Sequence, residues 1–127
     1  MKFHHIGVCC KDIRKEIENI KKIHNVKSVS DIVYDKNQEA ELCMLEIEDG
    51  LKLELISGKQ VENLLKKRMT YYHICYEVED INMEKERLVK DGAYLISDEK
   101  EAILFSDRKV CFLLVSYGLI ELVEGHV

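Results

Sequence analysis

The strongest constraint on this chain is that it repeats itself. HIGVCCKDI (residues 5–13) and HICYEVEDI (73–81) both open on His-Ile and close on Asp-Ile, and LKLELISG (51–58) and GLIELVEG (118–125) share a Glu-Leu step and a final Gly. His5 and His73 stand 68 residues apart, Glu54 and Glu121 67 apart. Two matches at nearly one offset indicate an internal duplication. The 127 residues are long enough for one domain with a core shared by two modules. The modules fall at about 1–58 and 70–127, joined by a short amphipathic helical linker, 59–69, bearing Val61, Leu64 and Leu65.

Each module reads as β-α-β-β-β. Residues 3–9 alternate as a strand does. Asp12 is a helix N-cap, and Ile13, Ile17, Ile20 and Ile23 follow at helical spacing as one apolar stripe ended near Asn25. Strands are expected near 26–34, 38–47 and 51–57, with turns at Asp35-Lys36-Asn37 and Asp49-Gly50. The second module repeats the order: a strand at 72–79, a helix capped by Asp80 and stopped by Gly92, and strands near 93–97, 110–116 and 118–124. The segment 97–109 fits strand rules poorly and reads as a loop over a site.

Strand parity sorts the polar residues. Successive side chains of a strand point to opposite faces. Ile6 and Val8 share the face of His4, so His5 looks the other way; Leu51, Leu53 and Leu55 oppose Glu54; Ile74, Tyr76 and Val78 oppose His73; Ile120 and Leu122 oppose Glu121. The apolar faces can pack under helices, which leaves His5, Glu54, His73 and Glu121 on the other face. The duplication makes His5 the counterpart of His73, while His4 matches Tyr72. If a rotation of about 180° relates the modules, two imidazoles and two carboxylates meet near its axis. Carboxylates brought together without a counter-ion are costly. This donor set suits one divalent ion of borderline hardness: Ni, Zn, Co, Mn or Fe.

The remaining polar candidates are fewer. Arg108 and Lys109, beside the irregular segment, are candidates to hold a substrate carboxylate or phosphate. His24 sits at a helix C-terminus, where partial positive charge suits the dipole, and His126 is terminal; neither joins the site set. The five cysteines are odd in number and lack C-x-x-C spacing, so neither a disulfide framework nor a zinc knuckle is expected, and a reducing cytoplasm is the natural setting. Cys10 reads as packed rather than reactive.

Composition narrows the partners. A formal charge of −5 and a pI near 5.6 argue against a nucleic-acid or anionic-membrane surface. No apolar run approaches the roughly 20 residues of a membrane span, and no signal-peptide core opens the chain. A small molecule is the expected partner.

With these residues in view, the chain resembles the vicinal oxygen chelate superfamily, which holds glyoxalase I, methylmalonyl-CoA epimerase, the extradiol dioxygenases, fosfomycin-resistance enzymes and bleomycin-binding proteins. The resemblance rests on His-Ile-Gly opening one half, Tyr-His-Ile opening the other and Glu-Leu on the last strand of each. It implies an α+β fold in which tandem β-α-β-β-β modules form a curved, partly closed mixed sheet around one metal. It also implies a homodimer, and the parity is satisfied whether the modules pair within a chain or swap between two.

His5, Glu54, His73 and Glu121 match the superfamily's ligand positions one by one. Glu at position 54 points to the isomerase branch, and within it to glyoxalase I (lactoylglutathione lyase): a metal-dependent isomerase that moves a proton alpha to a carbonyl through an enediolate. Cys9 stands where related enzymes carry an Arg for the glutathione carboxylate, so glutathione is not implied as the thiol. The alternatives are an acyl-thioester epimerase like methylmalonyl-CoA epimerase, whose family typically has Gln at that place, and a non-catalytic small-molecule-binding module of the same fold. By resemblance Glu121 is the proton-moving base, with Glu54 its partner for the opposite face in an epimerisation.

Overall fold

The computed structural model describes residues 1–125, which leaves His126 outside. The chain forms two compact units, one spanning His5–Tyr72 and the other Met1–His4 with the chain from His73 onward. Among the described residues no helix is long and apolar enough to cross a membrane.

The first unit takes up β1 (Lys2–Cys9) from His5 on, α1 (Ile13–Ile23), β2 (Val26–Val29), β3 (Val33–Asp35), β4 (Ala40–Ile47), β5 (Lys52–Gly58) and the short α2 (Glu62–Lys66). Its strands are ordered β2-β4-β5-β1, with β3 also on β4. β1 and β5 run parallel; the other pairs are antiparallel. Asp12 caps α1 by accepting from Lys15 N at 3.2 Å. Ile13, Ile17 and Ile20 then pack on Cys43, Leu45, Ile47 and Leu55. Each buried isoleucine contributes about 1.5–3 kcal/mol.

Ile23 was expected on that stripe but is 76% exposed. At 100° per residue it lies roughly 80° off the direction of Ile13, and the helix ends there. The helix ends one residue sooner than the Asn25 stop implies: His24 is the C-cap, and Glu48 accepts from Asn25 N at 2.8 Å. The expected 26–34 strand is two strands. Val29 pairs with Leu45 and Val33 with Leu42, so four steps on one side match three on the other. Ser30 bridges that mismatch, its N–H donating to Met44 O and its Oγ accepting from Met44 N, each at 2.8 Å.

The second unit contains β6 (Tyr71–Val78) from His73 on, α3 (Ile81–Lys90), β7 (Tyr94–Ala102), β8 (Arg108–Val115) and β9 (Gly118–Glu124). The order is β6-β9-β8-β7, with β6 and β9 parallel and the other pairs antiparallel. Asp80 caps α3 through Met83 N at 3.0 Å. At the other end Gly92 has φ +107°, its N–H reaches Val89 O, and Ala93 N–H reaches Leu88 O. That is the paired-bond stop that a glycine permits. Val78, Ile81, Cys111, Leu113, Ile120 and Leu122 form the core beneath α3.

The 97–109 segment is not a loop. β7 continues to Ala102 and pairs with β8 down to Ala102 opposite Arg108. Only 103–107 reverses the chain, with Ser106 and Asp107 at positive φ. Register shifts near residues 95–97 and 97–100 break the two-residue period, and β7 ends the strand order with most of its side chains exposed. Bulges and exposure together erase the alternation that marks a strand. The fold is therefore α+β with mixed pairing, and neither strand order closes on itself.

Candidate metal centre

Each unit contains a buried His–Glu pair built in the same way. In the first, Glu54 on β5 lies opposite Gly7 of β1, two residues past His5. In the second, Glu121 on β9 lies opposite Cys75 of β6, two residues past His73. A separation of two on a strand keeps both members on one face. His5 Nε2 stands 3.4 Å from Glu54 Oε1, and His73 Nε2 3.2 Å from Glu121 Oε1.

All four residues are at most 4% exposed. Burying a carboxylate that deeply is expensive unless a cation or a strong donor faces it. The separations themselves fit a shared ion. Two cis ligands, each about 2.0–2.2 Å from one metal, lie roughly 2.9–3.5 Å apart. Imidazole nitrogen with carboxylate oxygen is also a donor set that divalent transition metals accept.

The surroundings are repeated as well. Met44 lies opposite Glu54, and Phe112 lies opposite Glu121. The ring of Phe112 meets that of His73 edge-on, centroids 5.3 Å apart at 80°, which holds the imidazole plane. Reading the sequence missed Phe112 as a support; its parity on β8 was visible, but its register against Glu121 was not.

Arg108 and Lys109, adjacent on β8, face opposite ways. Lys109 shares the parity of Cys111 and Leu113, which pack beneath α3, and is itself exposed. Arg108 shares the parity of Val110 and Phe112, the face of the His73–Glu121 pair. Its Nη1 donates to Glu77 Oε2 at 2.6 Å, a contact that sequence reasoning also missed. Burial pushes the Glu77 carboxyl up, but the hydrogen bond and charge of Arg108, with the charges of His4 and Lys2, outweigh that and leave it below its ordinary value.

The five cysteines are buried thiols outside any disulfide. Desolvation pushes Cys9 up to about 11 and Cys10 and Cys111 up to about 12. Thiols so hard to ionise are packing groups, not nucleophiles. His24 is occupied with Glu48 at 2.5 Å, and His4 stacks edge-on against Phe105 with centroids 5.6 Å apart.

No curated protein matches the sequence. Among solved structures, methylmalonyl-CoA epimerase from Mycobacterium tuberculosis is similar with a TM-score of 0.84 and 18% identity, over 99% of this chain and 89% of that one. A Streptomyces coelicolor methylmalonyl-CoA epimerase variant in complex with 2-nitronate-propionyl-CoA gives 0.74 and 20%, over 100% and 96%. A hypothetical protein from Bacillus halodurans C-125 gives 0.73 and 20%, over 99% and 95%. At such identities the likeness speaks to the fold. The family model described as the Glyoxalase/Bleomycin resistance protein/Dioxygenase superfamily matches residues 4–112, and the chain belongs to that superfamily.

Proposed function

We propose that the chain is a divalent-metal-dependent epimerase of acyl thioesters, in which His5, Glu54, His73 and Glu121 hold one ion. The observation that carries this reading is the duplicated His–Glu pair, buried and set at one strand offset in both units. Superfamily membership and the likeness to methylmalonyl-CoA epimerases support it. In this proposal the modules 1–58 and 70–127, with linker 59–69, act as one domain, and the working form is a homodimer. Five thiols outside any disulfide suit a reducing compartment such as the cytoplasm.

A divalent ion bound there supplies Lewis-acid stabilisation of the negative charge that develops on the substrate carbonyl when the alpha proton leaves. Glu121 takes that proton on one of its carboxylate oxygens. Glu54, in the other pair, serves the opposite face of the same carbon, so one carboxylate accepts while the other returns a proton. The buried setting excludes water from both and slows leakage of the proton.

A second reading is isomerisation of glyoxalase I type, favoured by the carboxylate at Glu54 and using the same ligands with a single carboxylate shuttling the proton. Deuterium wash-in separates the two. Exchange at the alpha carbon of methylmalonyl-CoA, with inversion, supports the epimerase; turnover of methylglyoxal–thiol adducts alone supports the isomerase. Activity on neither, with no metal retained, returns the chain to a binding module.

A further inference from the structure

The two modules match at their ligating positions, and a matched set cannot tell one end of an unsymmetrical substrate from the other. Orientation has to be read where the modules differ. Four residues past His5 and Glu54 stand Cys9 and Gly58, and Gly58 faces Ala40. Four residues past His73 and Glu121 stand Glu77 and Gly125, and the β8–β9 register carried on by two residues brings Arg108 to Gly125. One module is uncharged at this level; the other holds an ion pair.

That pair is fixed in place. Arg108 Nη1 donates to Glu77 Oε2 at 2.6 Å, Nε donates to Phe105 O at 3.3 Å, and the guanidinium carbon lies 5.9 Å from the centre of the Phe105 ring. The side chain passes over Gly125, where a Cβ would collide with both Arg108 Nη1 and Glu77 Oε2. Among the described residues these are the hydrogen bonds of the Arg108 side chain, which is 35% exposed. Neither of these bonds uses Nη2. Glu77 is two residues past Cys75, which faces Glu121, so the anchored guanidinium sits about 7 Å along the strands from the level of Glu121.

We propose that Arg108, anchored by Glu77 across Gly125, recognises an anionic group of the substrate, a carboxylate or a phosphate, and so sets which part of the molecule meets Glu121. This rests on the acyl-thioester reading above. Glu77 offsets the charge of the guanidinium, so the selection works through short, directed hydrogen bonds rather than attraction at a distance.

The test measures affinity by calorimetry for methylmalonyl-CoA, propionyl-CoA and methylmalonyl-pantetheine, with alpha-carbon deuterium exchange followed in parallel. Arg108→Met is expected to weaken methylmalonyl-CoA by roughly 10-fold or more, raising KM more than it lowers kcat, and Arg108→Lys to restore part of it. If the group read is the acyl carboxylate, the effect of Arg108→Met disappears with propionyl-CoA. If it is a carrier phosphate, the effect disappears with methylmalonyl-pantetheine. Arg108→Lys and Glu77→Gln stand in should Arg108→Met not fold, each expected to weaken binding in part. Unchanged affinity for all three thioesters in the folded variants, or no binding by the unmodified protein, overturns the proposal. Binding that depends on Arg108 without any exchange would instead remove the epimerase reading and leave this one standing.

Discussion

His73 Nε2 lies 3.2 Å from Glu121 Oε1, on neighbouring parallel strands whose register sets Glu121 opposite the residue two places after the histidine. The same offset recurs at His5 and Glu54. Buried ionisable pairs of this kind are seldom kept for stability, since well-packed apolar residues of similar volume do as well or better. Their duplication in one chain is the observation from which the metal proposal starts.

Metal removal gives the first expectation. An ion that binds the folded chain and not the unfolded one stabilises by about 2.7 kcal/mol at 100 times its Kd. Dialysis against chelator should lower Tm by roughly 10 °C for a chain of this size. Adding back Co, Ni, Zn or Mn should restore it, and His5→Ala or His73→Ala protein should show no such shift. Metal content by elemental analysis accompanies the melt; an unchanged Tm after chelator has stripped the metal would contradict the site.

The two carboxylates should separate in kinetics. Glu121→Gln keeps the shape and one ligating oxygen but not the base, so alpha-carbon exchange should fall by about 10²–10⁴-fold with metal retained. With Glu54 as the second base, Glu54→Gln should suppress inversion while leaving wash-in on one face; full inversion in that variant would make Glu54 a ligand alone, the part that the Gln typical of epimerases can play. In a glyoxalase-type enzyme only the Glu121 substitution should have the large effect. Stereochemically resolved exchange by NMR reads both.

The Glu77–Arg108 pair predicts an acid limb in stability. The Glu77 carboxyl titrates below its ordinary 4.5 in the folded chain, because Arg108 outweighs the effect of burial. The unfolded chain therefore binds this proton more readily, and the stabilisation is complete above about pH 4.5 and lost as pH falls through the lowered value. Tm recorded from pH 6 down to pH 3 should fall less steeply in Glu77→Gln than in the unmodified protein. Parallel curves would mean that the pair contributes nothing.

Gly58 offers a test of packing away from the ligands. A Cβ there would lie 2.6 Å from Glu39 O and 2.9 Å from Ala40 Cα, both backbone atoms that cannot swing aside. Gly58→Ala should cost about 1–3 kcal/mol, read as a lower urea midpoint with unchanged slope.

Much of this molecule was legible one residue at a time. The repeat marked the strand–helix order that recurs in both halves, and period-two alternation put His5, Glu54, His73 and Glu121 opposite the apolar faces that pack beneath α1 and α3. Asp12, Asp80 and Gly92 marked helix ends because capping is a local transaction between a side chain and the next few N–H or C=O groups. The run 97–109 reads as a loop and folds as a strand because bulges and an outer position in the strand order remove the alternation that marks one. Lys109 was grouped with Arg108 by adjacency, although neighbours on a strand face opposite sides.

By itself, then, the sequence determined the recurring strand–helix–strand order, the capped starts of both long helices and the face on which His5, Glu54, His73 and Glu121 lie, since all of these depend on spacing along the chain. Only the tertiary structure decided that Glu54 stands beside His5, that Glu121 stands beside His73, and that Arg108 reaches Glu77 over a glycine. Those are matters of register between strands distant in sequence, and register is settled by the packing of whole faces rather than by any short stretch of residues.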